Sequence, residues 1–238
     1  MSATILTWNL ERKKVNSPYG KLAISHLFDQ LPDVIAVSET RTDFPTHDGF
    51  TIYAQKPNGR FADNERKILI WSKNPWSKVD DLGDIGLPTG RFISGVTKTP
   101  IGEIRVVGVC IPYHMADVVY GTKDKKPWEQ HITFLKTLPS ILQNYTRPIV
   151  VAGDFNQRFP RVKFGHRTAA LEMERTFKNY DIVTHGTIAG LSREGIDHIA
   201  ISEKLKTEKV WGWYNIINDK RLSDHDGAGC RITSLENT

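Results

Sequence analysis

Apolar residues fall along the chain in short runs rich in Val and Ile, each bounded by polar or turn-forming residues. Ile5 to Trp8, Val34 to Val37, Ile68 to Trp71, Ile104 to Ile111 and Ile149 to Ala152 have strand length and β-branched or aromatic enrichment, so each predicts a buried β-strand. Residues 91–99 and 102–111, joined across Pro100, predict a hairpin, which requires antiparallel pairing somewhere in the sheet. Between the runs the apolar period lengthens to that of a helix. Ser17 before Pro18 is a cap and first-turn pair, followed at helical spacing by Ala23, Leu27, Phe28 and Leu31. Trp128, Ile132, Leu135, Leu138, Leu142 and Tyr145 share a second helical face, which Pro139 is expected to kink or restart. A third helix is expected from about Thr168 to Phe177. Strands interleaved with helices and hairpins predict an α/β sandwich, with helices covering the outer faces of packed, mixed β-sheets. No linker-like or repetitive stretch interrupts the pattern, so a single domain over residues 1–238 is expected.

Polar residues stand where these strands end. Ile5 to Trp8 leads into Asn9 and Glu11, Val34 to Val37 into Ser38 and Glu39, and Ile149 to Ala152 into Gly153, Asp154, Phe155 and Asn156. Asp197 stands near the start of the run Ile196 to Ile201, and Asp224 and His225 just before Ala228 to Ile232. If the last two strands run antiparallel to the others, all these clusters meet at one rim. Such a rim suits phosphoryl chemistry. Mg²⁺ prefers hard oxygen ligands and is held by one or two carboxylates plus substrate phosphate. A further carboxylate can deprotonate the attacking water, a carboxamide can donate to phosphate oxygens, and a His held by an Asp can stay cationic. Each residue alone has a plainer reading: Asn9 as a turn residue, Glu39 as the partner of Arg41, Asp226-Gly227 as a turn. Their joint occurrence carries the argument.

Composition narrows the classes. With 39% hydrophobic residues in 238, a sizeable core is available. No stretch approaches the apolar length of a membrane span, and Met1 to Thr4 lack a basic leader, so a soluble, unprocessed protein with no membrane partner is expected. Cys110 and Cys230 both sit in apolar runs and read as small buried hydrophobes, which fits a reducing cytoplasm. A net charge of +5 favours an anionic partner without requiring one.

The segments Thr7-Trp8-Asn9-Leu10-Glu11, Ser38-Glu39-Thr40, Gly153-Asp154-Phe155-Asn156, Ile196-Asp197-His198-Ile199 and Ser223-Asp224-His225 resemble, in order and separation, those of the endonuclease/exonuclease/phosphatase superfamily. The resemblance spans nearly the whole chain. It implies a four-layer α/β/β/α sandwich and cleavage of a phosphoester dependent on Mg²⁺ or Mn²⁺. It further implies that Glu39 is the principal metal ligand, with Asn9 and Asp224 lining the same site and Glu11 behind them. Asp154 would position or activate the water, Asn156 would contact the scissile phosphate, and His225, oriented by Asp197, would stabilise the transition state. His198 is expected to be a strand residue. Where many relatives carry a Tyr or His, this chain has Cys110, so the leaving-group acid is open; Tyr113 and His114 follow closely and are candidates.

Rival hydrolase signatures fail. Gly190 to Gly195 is one residue too long for a nucleophile elbow, and neither a Walker-type loop nor a His-Glu-x-x-His pair occurs. A catalytically silent binder of nucleic acid or protein would be expected to have lost a metal or water-positioning residue, and none is lost. For the substrate, Arg158, Arg161, Lys163, His166 and Arg167, interleaved with Phe155, Phe159 and Phe164, suit a DNA or RNA backbone, which Arg12 to Lys14 and Lys123 to Lys126 could extend. A lipid head group, inositol phosphate or nucleotide would be served by fewer of these side chains, and the lack of an apolar docking insertion favours a nuclease.

Overall fold

A computed structural model describes residues 1–59, 61–82, 86–119, 121–145, 148–160 and 166–235. The elements run β1 (Ala3–Asn9), α1 (Pro18–Phe28), β2 (Val34–Arg41), β3 (Phe50–Tyr53), β4 (Glu65–Ser72), β5 (Ser77–Asp80), β6 (Phe92–Thr99), β7 (Gly102–Cys110), α2 (Glu129–Leu142) and β8 (Ile149–Asp154). They continue with α3 (Arg167–Thr176), β9 (Tyr180–Ile182), β10 (Asp197–Ser202), β11 (Leu205–Trp213), β12 (Ile216–Ile217), β13 (Lys220–Arg221) and β14 (Gly227–Ser234). One six-stranded sheet has the order β11-β14-β1-β2-β4-β3, and a second the order β5-β6-β7-β8-β10-β9. Each is mixed: β1 and β2 are parallel, as are β7 and β8, and the remaining pairs are antiparallel.

The sheets face each other across a largely apolar interior, and the strand period explains why the apolar runs are continuous. Along β1, Ala3 and Ile5 point between the sheets while Leu6 and Trp8 point outward to α1. Along β8, Val150 and Ala152 point inward while Ile149 and Val151 meet α2 and α3. A strand buried on both faces has no polar side to alternate with. The layers are therefore α1, first sheet, second sheet, and α2 with α3, a four-layer α/β/β/α sandwich.

Local chemistry sets the helix ends. Ser17 caps α1 by accepting from the Gly20 amide. The helix stops at Phe28, and Leu31, expected on its apolar face, is 82% exposed with a positive φ of 50°. Pro139 neither restarts nor ends α2, which is continuous around it. The proline removes the amide that would serve the Leu135 carbonyl, and the Thr176 hydroxyl of α3 donates to that carbonyl instead, at 2.7 Å. No helix among the described residues is long and apolar enough to cross a membrane.

Candidate active site

The site lies at one rim of the sandwich because of strand direction. β1, β2 and β8 bring Asn9, Glu39 and Asp154 towards it, and β10, antiparallel to β8, begins there with Asp197 directly opposite Asp154. β14 runs antiparallel to β1, so Asp224 and His225 precede it at the same end. The rim is stitched across the two sheets by two hydrogen bonds and on the side of the first sheet by a third. The Asp154 amide donates to the Ser38 hydroxyl at 3.1 Å, the Asn9 carboxamide donates to Asp154 Oδ2 at 3.2 Å, and the Ser223 hydroxyl donates to the Asn9 carbonyl at 2.5 Å.

Asp154 is 2% exposed. Its oxygens accept from the Asn156 amide and Nδ2, each at 2.8 Å, while that Nδ2 also donates to the Ile111 carbonyl at 2.9 Å. Burial, then the charge of Asp197, push the Asp154 carboxyl up to about 7. The turn that presents it needs glycine: at Gly153 φ is 141°, and a Cβ would stand 2.0 Å from the Val109 carbonyl of the parallel neighbour. Asn156 and Glu39 carry positive φ values of 52° and 43°, backbone geometry that non-glycine residues adopt at a cost and that recurs at functional sites.

His225 Nδ1 meets Asp197 Oδ2 at 2.5 Å. Burial disfavours the imidazolium, but Asp197 outweighs it and raises His225 to about 10, so the ring is cationic at neutral pH. Burial also raises Asp197, against the pull of His225; with one proton between a carboxylate and an imidazole at this distance, we place it on the ring. Among the described residues, Asp197 Oδ1 is buried without a hydrogen-bond partner. The Trp8 indole donates to the His225 carbonyl at 2.8 Å and fixes the loop.

Glu39 has a 19% exposed side chain flanked by two cations: Lys67 Nζ lies 2.7 Å from Oε1 and Arg12 3.2 Å from Oε2. Burial would raise its carboxyl, but Lys67 and then Arg12 prevail and hold it below the usual range, so it is ionised. Asn9 Oδ1 accepts from the Glu11 amide at 2.8 Å, and the half-exposed Asp224 lies 3.9 Å from His225 Nε2. Among the described residues, one group of His and carboxylate side chains, Asp154, Asp197 and His225, has ligand atoms all within 4.8 Å of one another. Two of the three are spent on each other, and a protonated imidazole has no lone pair for a metal. The hard oxygens of Glu39, Asn9 and Asp224 fit a divalent cation better: each oxygen of Glu39 keeps a lone pair beyond its hydrogen bond.

Cys110 and His198 are buried in their strands as expected, whereas several of the surface expectations require correction. Cys110 is 1% exposed, and burial, then the Asp154 charge, push its thiol to about 12, which makes it a poor proton donor. His198 is buried between the Thr184 hydroxyl and the Gln157 carbonyl, and burial lowers it to about 4. Phe155 is not an open stacking ring: it is fully buried against Phe177, and Phe159 packs on the same core. Arg161, Lys163 and Phe164 lie outside the described residues. Arg158 is exposed, and Tyr113 and His114 follow Ile111 and Pro112, whose carbonyls bind Asn156 and the buried His131. His114 packs at 5.6 Å on Trp128, which stacks on the exposed His166 at 5.1 Å, a ring cluster that periodicity concealed by placing Trp128 on a helix face. Arg12 and Lys13 pair with Glu39 and Glu11 rather than extending a basic surface. Lys67 went unnoticed because it reads as the polar start of an apolar run.

The sequence matches the Endonuclease/Exonuclease/phosphatase family over residues 6–225. No curated protein matches it. Solved structures share the fold at low identity. A Bacteroides vulgatus endonuclease/exonuclease/phosphatase has TM-score 0.71 at 12% identity, covering 98% of this chain and 99% of that one. An AP endonuclease from Archaeoglobus fulgidus has TM-score 0.69 at 17% identity, and a 3′ phosphatase from Neisseria bound to product DNA hairpin has 0.69 at 16%, each covering 96% of this chain and 98% of its own.

Proposed function

Because the chain belongs to the endonuclease/exonuclease/phosphatase family, whose members are hydrolases acting on phosphoester bonds, we propose that it is a Mg²⁺- or Mn²⁺-dependent nuclease that cleaves a DNA or RNA backbone. The observation that carries this is the pair of opposed ionisable groups at the rim. An oxygen of Asp154, whose carboxyl burial pushes up to about 7, lies within 4.8 Å of a ring nitrogen of His225, which Asp197 raises to about 10 against its burial. One is poised to take a proton and the other to meet negative charge.

Residues 1–238 act in this reading as one domain, since each sheet supplies half the rim. Asp154 accepts the proton of the attacking water on a carboxylate oxygen, oriented by Asn9 and Asn156. The Asn156 carboxamide, turning from Ile111, donates to a phosphate oxygen. His225, held cationic by Asp197, stabilises charge that builds on the phosphoryl oxygens during in-line displacement. Glu39, with Asn9 and Asp224, would hold the divalent cation, which withdraws charge from the phosphate when bound. Nucleic acid is favoured over a small phosphoester by the His114, Trp128 and His166 ring cluster, the exposed Arg158, and the fold shared with enzymes described as acting on DNA. The buried free thiols Cys110 and Cys230 support a reducing compartment such as the cytoplasm.

The deciding experiment is Mg²⁺-dependent hydrolysis by wild type and Glu39→Ala, with a chelator control, across single- and double-stranded DNA, abasic-site duplex, RNA and a small phosphodiester. We expect cleavage of at least one polymer, lost with the mutation and with chelator. Activity on the small diester alone would replace the nuclease reading with a lipid, inositol or nucleotide substrate, and inactivity throughout would leave a binding protein.

A further inference from the structure

Lys67 sits directly across from Glu39 on the neighbouring strand, bracketed by the pairs Ser38 with Ile68 and Thr40 with Arg66. Its side chain is 11% exposed, its Nζ is 2.7 Å from Glu39 Oε1, and the Phe61 ring lies 5.1 Å from that same ammonium. A lysine so enclosed is a fixed charge of the pocket rather than a solvated one. The second oxygen of Glu39 faces Arg12, whose side chain is more open at 37% exposed.

The charge balance has a consequence for a divalent cation. Glu39 and Asp224 contribute two negative charges, and Lys67 and Arg12 contribute two positive ones. Asp197 is paired with His225 at 2.5 Å, Asn9 is neutral, and Asp154 turns its oxygens to the Asn9 and Asn156 donors. A cation approaching Glu39 thus meets little net attraction and must share the carboxylate with an ammonium that repels it. A phosphodiester would bring the missing negative charge.

We propose that Lys67 is a positioning residue that competes with the divalent cation for Glu39 and keeps the metal affinity of the substrate-free protein low. The proposal rests on Glu39 being the metal ligand, as in the reading above. Outer partners of a ligating carboxylate commonly change metal affinity by about 10–100-fold, and here charge repulsion fixes the sign.

The test is direct titration of Mn²⁺ into the substrate-free full chain, read by electron paramagnetic resonance, for wild type, Lys67→Met, Lys67→Gln, Lys67→Arg and Glu39→Gln. Lys67→Met and Lys67→Gln should bind Mn²⁺ about tenfold more tightly than wild type. Lys67→Arg, which keeps the charge, should stay close to wild type, and Glu39→Gln should lose the site. Melting temperatures in chelator identify any variant that fails to fold, and either neutral variant suffices. Unchanged or weaker binding in a folded neutral variant, with the site lost in Glu39→Gln, overturns the role of Lys67 alone. Retained binding in Glu39→Gln overturns the metal assignment first, and this proposal with it.

Discussion

At the scale of single residues the rim trades stability for chemistry. Asp154 is buried where its charged form is disfavoured, so its carboxyl rises to about 7 from an unfolded value near 4. Between those values the folded state holds more protons than the unfolded one, and stability falls as pH rises through the window. His225 pushes the same way: its folded value of about 10 exceeds the unfolded one, so its contribution is complete in mild acid and is lost as pH rises towards 10. Glu39, held low, opposes them only in acid, where its contribution is lost as pH falls. Asp154→Asn should therefore melt higher than wild type in chelator at pH 8, by several degrees, with the gain vanishing near pH 4, while turnover falls by about 100-fold or more. Melting curves at the two pH values check the first claim; a wild-type advantage at pH 8 would mean Asp154 is stabilised by its three donors after all. The residue types of this set were legible in the sequence, since chemistry restricts them. Lys67 was not, because an ammonium one position before an apolar run looks like a solvated strand end until the register places it across from Glu39.

At the scale of elements, most strands and all three helices could be read from period and caps, and the failures have local causes. Leu31 continued the apolar spacing of α1, but the chain turns left-handed there and leaves it to solvent. Pro139 does not restart the helix, and it is instructive because the missing partner is remote in sequence: the Leu135 carbonyl is satisfied by Thr176, which belongs to another helix. Sequence spacing shows the lost donor but cannot show its replacement. Thr176→Val, which keeps the shape and removes the hydroxyl, should strand a buried carbonyl and cost about 1–3 kcal/mol. Pro139→Ala restores an amide for that carbonyl, so the double variant should recover most of the loss. Denaturant unfolding of the two single variants and the double one tests this, and additive losses would show that the hydroxyl does not stand in for the amide.

For the whole molecule, the sequence placed the clusters at strand ends, and their convergence depended on strand directions that only the sheet topology supplies. Antiparallel β10 and β14 close the rim, so its two halves belong to different sheets and the site exists only when both are packed. Surface charge is the remaining global property, and composition gives its sum without its location. A net charge of +5 hides the fact that Arg12, Lys13 and Lys67 are already paired with carboxylates at the rim, which leaves fewer cations for a polyanion. Binding to an oligonucleotide should therefore depend on salt only modestly, through a few phosphate contacts, with a slope of roughly −0.9 per contact on duplex. Arg158 is exposed two residues beyond Asn156 and should be one of them. Anisotropy titrations in chelator, where cleavage is excluded, should show Arg158→Gln weakening binding and reducing the magnitude of the salt slope by about one. An unchanged slope assigns Arg158 to solvent. A wild type with no measurable oligonucleotide affinity at low salt would show that the pairing of rim cations has gone far enough to exclude a polymer, and the phosphoester substrate would then be a small one.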